Sequence, residues 1–272
     1  MVGVGRKKGI LPKVSVLVPV YNAEPFLRAT LSSILNQTFS DFELVLLNDS
    51  STDNSEKIIE EFNDKRIRYY KNDKNLGIAN CRNKLMGFAK GEYIAFCDND
   101  DIMRPERLEK QVKYMDNNPN ISMVGSYFEL FDSSKQNFFR RFILSFGLVW
   151  CQPLFPTIED LLKGVVLAQP TSMIRKQDFL NKNIKYHQIY CPAEDYDVLT
   201  QAMFQGLKLA NIPEILMHYN LHGNNYSIKL KDKGAKATEE IQKSIASFLN
   251  RPYKKYPRWK LIMQKLRLRC FI

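Results

Sequence analysis

Residues 14 to 124 switch repeatedly between two hydrophobic periods, and this alternation restricts the fold more than any other feature of the chain. Val14-Ser-Val-Leu-Val-Pro-Val20 is a near-continuous apolar run, the pattern of a strand covered on both faces. Pro25 stands where a first helical turn tolerates it, and Leu27, Leu31, Ile34 and Leu35 follow at helical spacing. A second apolar run, Phe42 to Leu47, leads into Asn48-Asp-Ser-Ser-Thr-Asp53. That loop is rich in helix-capping residues, and Ile58, Ile59 and Phe62 mark the next helix. Residues 67–70 predict a short strand, 77–89 a helix and 92–97 another strand. Such alternation predicts a mostly parallel sheet with right-handed crossovers. Ligands of such sheets bind beyond the carboxyl ends of the strands. Three polar loops fall at such ends: 21–24, 48–50 and 98–101.

The last of these carries the most chemical information. Asp98-Asn-Asp-Asp101 places three carboxylates within four residues. Like charges this close disfavour joint ionisation, so one stays protonated unless a cation sits between them. A divalent metal relieves the conflict, since Mg²⁺ and Mn²⁺ prefer carboxylate oxygens and usually hold substrate phosphates as well. A solvated acidic turn before a helix starting near Arg104-Pro105 accounts for the spacing equally well.

The chain has 272 residues, which allows one or two domains, and 44% hydrophobic content fits a globular protein. Its five cysteines are scattered without a CxxC pair, so neither a zinc site nor a disulfide framework is expected, and a reducing cytosol fits best. The first residues lack the apolar centre of a signal peptide, and no apolar run is long enough to span a bilayer. The expected location is the cytoplasm, with a tether to the inner membrane's cytoplasmic face as the alternative.

A net charge of +11 favours anionic partners. Between Arg251 and Cys270 stand eight Lys or Arg residues and no acid. Trp259, Ile262, Met263 and Leu266 predict one apolar helix face there. This suits an interfacial helix on anionic lipid, and equally a terminal helix packed on the domain. Nucleic acid is not an expected partner, because no recognition motif accompanies the charge.

Further along, Phe138, Phe139, Phe142, Ile143 and Phe146 predict core packing. A strand is expected at 172–174 and a strand and turn at 207–213, with an apolar segment following at 215–219, and helices at 194–205 and 235–249. His218, in an apolar run, reads as structural and His187 as a surface residue.

Pro19-Val-Tyr-Asn22, Ser33-Ile-Leu-Asn-Gln-Thr38, Asn48 to Asp53, Asn75-Leu-Gly77 with Ala79 and Arg82, and Asp98 to Asp101 occur in order with fitting spacing. Together they make the chain resemble the family 2 glycosyltransferases, of the type that builds bacterial cell-surface glycans. The resemblance continues more loosely through Glu194-Asp195 and from Tyr219 to Ser227. It implies an α/β fold of the GT-A type, with a mostly parallel central sheet flanked by helices and, here, a basic helical tail. It divides the chain into a basic segment at 1–13, a catalytic domain at 14–228 and a helical extension at 229–272. Within the domain, 14–124 is the nucleotide-sugar half and 125–228 the acceptor half. It also implies a UDP-sugar donor, Mn²⁺ or Mg²⁺, inversion at the anomeric carbon, and a glycan or lipid-linked acceptor as in lipopolysaccharide or capsule synthesis.

Residue by residue, the resemblance puts Pro19, Tyr21 and Glu24 in the nucleoside pocket, and Asp49 on the uracil ring. The family usually carries two acids at 48–49, and this chain has Asn48 first. Arg82 matches a residue near the ribose and diphosphate. Asp98 and Asp100 match the DxD motif, with Asn99 between them. Asp100 is expected on the metal, Asp98 nearer the ribose, and Asp101 orienting the metal or donor sugar. Asp195 matches the general base, with Glu194 beside it. His222 is expected on the metal or diphosphate in a closed lid, although Asn220 stands where relatives often carry Arg. Gln169 falls in a stretch that borders the acceptor.

Two other enzymatic or binding classes are weighed against this. A sugar-1-phosphate nucleotidyltransferase needs a glycine-rich loop after the first strand, which Pro19-Val-Tyr-Asn22 does not supply. A catalytically silent UDP-sugar binder has no need of both Asp100 and Asp195.

Overall fold

The computed structural model describes residues 11–133, 144, 147–222, 225–257 and 265–268. The elements run β1 (Val14–Val20), α1 (Glu24–Leu35), β2 (Phe42–Asn48), α2 (Ser55–Glu60), β3 (Ile67–Lys71), α3 (Ile78–Phe88), β4 (Tyr93–Phe96), β5 (Ile102–Met103), α4 (Arg107–Asn117) and β6 (Met123–Phe131). They continue with β7 (Leu148–Trp150), α5 (Ile158–Leu161), β8 (Met173–Arg175), α6 (Lys176–Asn181), α7 (Glu194–Phe204), β9 (Leu209–Asn220), α8 (Tyr226–Lys229), α9 (Lys231–Phe248) and β10 (Leu266–Leu268).

The sheet order is β10-β7-β6-β8-β4-β1-β2-β3. β4, β1, β2 and β3 are mutually parallel, as the alternating pattern requires. The chain builds outward from β1 to β3 and then returns to place β4 on the other side of β1. That reversal makes β1 and β4 a topological switch point, where the loops leaving their carboxyl ends part and open a crevice. Beyond β4 the pairing is antiparallel through β8, β6, β7 and β10, while β9 runs parallel to β6 and antiparallel to β5.

Side-chain alternation explains why both faces of β1 and β2 are apolar. Val14, Val16, Val18 and Val20 join Leu44 and Leu46 in a core with Leu27, Leu31 and Ile34 of α1 and Leu108 and Met115 of α4. Leu17, Val45 and Leu47 face the opposite core, with Leu85 of α3, Tyr196 and Leu199 of α7, and Ile241 and Ile245 of α9. α9 therefore packs into the same core as the strands that precede it.

The tail differs from expectation. Leu266 does not sit on a helix face: it opens β10, opposite Trp150 of β7. Trp259, Ile262 and Met263 lie outside the described residues, as do Phe138, Phe139, Phe142, Ile143 and Phe146. The segments expected at 207–213 and 215–219 form one strand, β9, with an irregularity where β6 passes Ser126 to Phe128. Among the described residues, no helix is long and apolar enough to cross a membrane.

Candidate active site

A cavity of about 1440 Å³ opens at the carboxyl ends of β1, β2 and β4. That exceeds the roughly 300–1,000 Å³ usual for one small molecule, leaving room for two ligands. Pro19, Tyr21, Asp49, Arg82, Asp98, Asn99, Asp100, Gln169, Glu194, Asp195 and His222 all line it. The sheet thus gathers residues as far apart in sequence as Pro19 and His222 into one site.

The loops after β1 and β2 are tied together. Asn22 and Ser50 both adopt the left-handed backbone region, at φ of 47° and 61°. Asn22 Oδ1 accepts the Thr52 N–H at 2.8 Å, Ser55 Oγ accepts that of Ala23 at 2.9 Å, and Asp53 Oδ2 accepts that of Glu24 at 2.9 Å. Glu24 stands outside the cavity lining. Its carboxylate instead accepts from the backbone and side-chain amides of Asn54, at 3.1 and 2.8 Å. Asn48 is buried, donating to the Tyr69 hydroxyl at 3.1 Å and accepting the Ser51 N–H at 2.9 Å, so its side chain shapes the loop.

Asp49 is a junction. Its Oδ1 accepts from Asn72 Nδ2 and the Leu76 N–H, both at 2.8 Å, and its Oδ2 accepts the Gly77 N–H at 2.9 Å. Gly77 carries φ of +81°, a backbone conformation that other residues rarely adopt, which explains the glycine at the start of α3. One carboxylate thereby positions the loop that delivers Arg82.

Each acid after β4 meets its charge problem differently. Asp98 accepts from Arg82 Nη2 at 3.0 Å, while Arg82 Nη1 donates to Glu194 Oε1 at 2.6 Å. Arg82 is buried, which works against its charge, but Asp98 and Glu194 more than reverse this and hold its pKa above the usual guanidinium range. Asp100 contacts His222 Nε2 at 2.8 Å and Asn225 Nδ2 at 3.4 Å, and the His222 ring stacks on Phe26 at 4.5 Å. Burial raises the Asp100 pKa against the lowering contact with His222. Asp101 turns away from the cavity into the interior, where the Asn220 N–H donates to it at 2.9 Å. Burial, then Asp100 and Asp98, hold Asp101 well above the carboxylate range. Asn220 itself is buried, with its side-chain oxygen engaged by Ser133.

Among the described residues, no group of three or more His, Cys, Asp or Glu side chains is arranged to hold a metal unaided. Asp100 and His222 do present an oxygen and a nitrogen donor together at the cavity wall. A hard dication commonly takes one or two protein ligands and completes its shell with phosphate oxygens and water. The donor set fits that mode.

α7 begins at the cavity with Glu194 and Asp195 in its first turn. Burial, then Glu194, push Asp195 up to about 7, while Arg82 opposes the shift. A carboxylate poised there can exchange a proton near neutral pH. Gln169 is buried, donates to the Tyr186 hydroxyl at 2.5 Å and leaves its Oε1 without a partner. His187 is exposed beside Asp197, and His218 lies in β9 near Glu129 and Arg104, both away from the lining.

Sequence reasoning missed Arg107. It is fully buried behind the acidic loop and donates to the carbonyls of Phe96 and Ser172 at 2.9 and 3.1 Å. Burial lowers it to about 10. The signal was its place on the core-facing stripe of α4 with Leu108, Gln111, Val112 and Met115.

The family model for Glycosyl transferase family 2 matches residues 15–191, well over half of the chain. The chain belongs to glycosyltransferase family 2. An uncharacterized glycosyltransferase of Haemophilus influenzae is 33% identical over 247 residues, 88% of this chain and 75% of that protein. Over 114 residues, 42% of this chain and 45% of its partner, the identity is 40% to Escherichia coli WfgD, a UDP-Glc:alpha-D-GlcNAc-diphosphoundecaprenol beta-1,3-glucosyltransferase. The crystal structure of Staphylococcus aureus TarS 1–349 with UDP-GlcNAc superposes with a TM-score of 0.69 at 19% identity, covering 93% of this chain and 71% of that one. That likeness speaks for the fold, which is the α/β GT-A architecture. The family match ends at Cys191, so the acids of the switch-point loops lie within it and Asp195 lies beyond.

Proposed function

We propose that this family 2 glycosyltransferase moves a hexose or N-acetylhexosamine from a UDP-sugar to a lipid-linked glycan acceptor with inversion, using Asp195 as base. The observation that carries this reading is one cavity holding both Asp195, with a pKa near 7, and the Arg82–Asp98 and Asp100–His222 pairs. WfgD, similar over 114 residues, supports the donor and acceptor classes.

The chemistry follows from these groups. Tyr21, Pro19 and Asp49 form the nucleoside end of the site, where Asp49 holds the loop and faces the base. Arg82 presents a guanidinium to the diphosphate while keeping Asp98 and Glu194 in place. Asp100 and His222 would hold Mn²⁺ or Mg²⁺, which when bound supplies positive charge against the departing diphosphate. Asp195 takes the proton of the acceptor hydroxyl as its oxygen bonds to the anomeric carbon from the face opposite UDP. The anomeric bond to UDP breaks in the same step, through an oxocarbenium-like transition state. Gln169 borders the acceptor with its free Oε1.

A lipid-linked acceptor draws the protein to a membrane surface. Arg251, Lys254 and Lys255 are exposed after α9, in keeping with peripheral contact with anionic lipid. The direct test incubates the protein with Mn²⁺ and UDP-Glc, UDP-Gal, UDP-GlcNAc or UDP-GalNAc. Release of UDP from at least one is expected. Turnover of GDP- or CMP-sugars alone would overturn the donor assignment.

A further inference from the structure

The far wall of the cavity contains a cation that the donor does not need. Lys265 lies just before β10, on the lining, and is only 8% exposed. Its ammonium donates to Gln152 Oε1 at 2.9 Å and to the Val165 carbonyl. An ammonium has three N–H donors, so one has no acceptor among the described residues. Both partners are neutral, and no carboxylate among the described residues forms an ion pair with it. Asp160, the nearest acidic influence, is already paired with Lys163 at 2.7 Å.

Burying an ammonium without a counter-ion is unfavourable. The strain shows as a pKa lowered to about 8, by burial first. A buried amine meets this cost either by giving up its proton or by gaining an anionic partner. The position is compatible with a ligand, because Lys265 stands where the main cavity meets a second space of about 270 Å³ that also touches Gln152, Lys163 and Asp160, the last paired with Lys163. Trp150, Leu130 and Leu266 give this end an apolar wall.

Its distance from the donor acids also matters. Asp98 follows β4, and the sheet order places β8, β6 and β7 between β4 and β10. Four inter-strand steps correspond to roughly 19 Å along a flat sheet, less where it curls. Lys265 thus stands several strands away from the loop that carries the donor acids.

Building on the acceptor reading above, we propose that Lys265, oriented by Gln152, binds an oxyanion carried by the acceptor, either phosphoryl or carboxylate. The tail thus completes the acceptor site by closing the sheet edge with β10. The site selects acceptors with a negative charge some distance from the hydroxyl that is glycosylated.

The test uses the full chain saturated with UDP and Mn²⁺, titrated calorimetrically with butyl phosphate or with glucuronate as phosphoryl and carboxylate probes. One probe is expected to bind to the UDP-loaded protein, and its identity names the anion. Lys265→Met and Gln152→Glu should each weaken that probe about tenfold or more, one by removing the cation and the other by supplying an internal carboxylate. UDP affinity and melting temperature, measured in parallel, check folding. Should Lys265→Met fail to fold, Gln152→Glu decides alone, since it adds a counter-ion to a buried charge. Binding of neither probe to the UDP-loaded protein, or wild-type affinity in a folded variant, overturns the proposal. Failure of UDP itself to bind overturns the donor reading instead.

Discussion

The two walls of the cavity are built on opposite plans. The near wall, from the loops after β1, β2 and β4, has most of its polar groups engaged with one another: Asn22 with Thr52, Asp49 with Leu76 and Gly77, Arg82 with Asp98 and Glu194, although Glu194 Oε2 has no hydrogen-bond partner among the described residues. Among the described residues, the far wall leaves valences open at Gln169 Oε1 and at the Lys265 ammonium, which has no carboxylate partner. A network closed on itself fixes geometry before the ligand arrives, which suits a donor nucleotide whose shape does not vary. Open polar groups gain their partners from the ligand, which suits an acceptor that must be told apart from other sugars.

The largest effect separating the walls is at the junction residue. Asp195→Asn should lower kcat about 10²- to 10⁴-fold with little change in UDP affinity, read by steady-state transfer and by calorimetry. Full transfer in that variant would remove the base from the reading. Next comes Arg82, the centre of the near wall. Arg82→Ala leaves the buried Glu194 without its cation and should destabilise the fold by about 3–5 kcal/mol, measured by urea unfolding. A loss near zero would mean that the near wall is not a closed network.

A third test uses pH. Asp195 works as its carboxylate and is raised to about 7, so kcat/KM should climb about tenfold per pH unit below that value and level off above it. Stability runs the other way. Between 3.8 and about 7 the folded chain keeps a proton that the unfolded chain has lost, so this group's contribution falls as pH rises through that window. A flat rate profile from pH 5 to 8 would contradict the assignment. The smallest effect belongs to the far wall: Gln169→Leu should raise the acceptor KM about tenfold or less, leaving the donor KM close to wild type. An equal rise in both would show that the two walls do not act separately.

Much of the near wall was legible because its elements are written in local periodicity. Val14–Val20 and the helix over residues 78–88 follow from apolar spacing, and the loops that cross-link are the same ones whose motifs carry the family resemblance. Glu24 is the exception: it reads as a nucleoside contact, yet the turn before α2 takes its carboxylate. The far wall depends on long-range antiparallel pairing by three-residue strands such as β7 and β8, too short to show a period. Arg107 was hidden because a charged residue on a core stripe looks like a break in the pattern. In the tail, Trp259, Ile262, Met263 and Leu266 suggest a helix, but Leu266-Arg267-Leu268 has the two-residue alternation of a strand, and the edge of β7 decides in its favour.

The central claim is that the near wall presents Asp100 and His222 to a dication shared with the donor diphosphate. Calorimetric titration of UDP, with and without Mn²⁺, into wild type and Asp100→Ala tests it directly. The account predicts UDP affinity that depends on Mn²⁺ in the wild type and loses that dependence in the variant. Equal UDP affinity under all four conditions would contradict it.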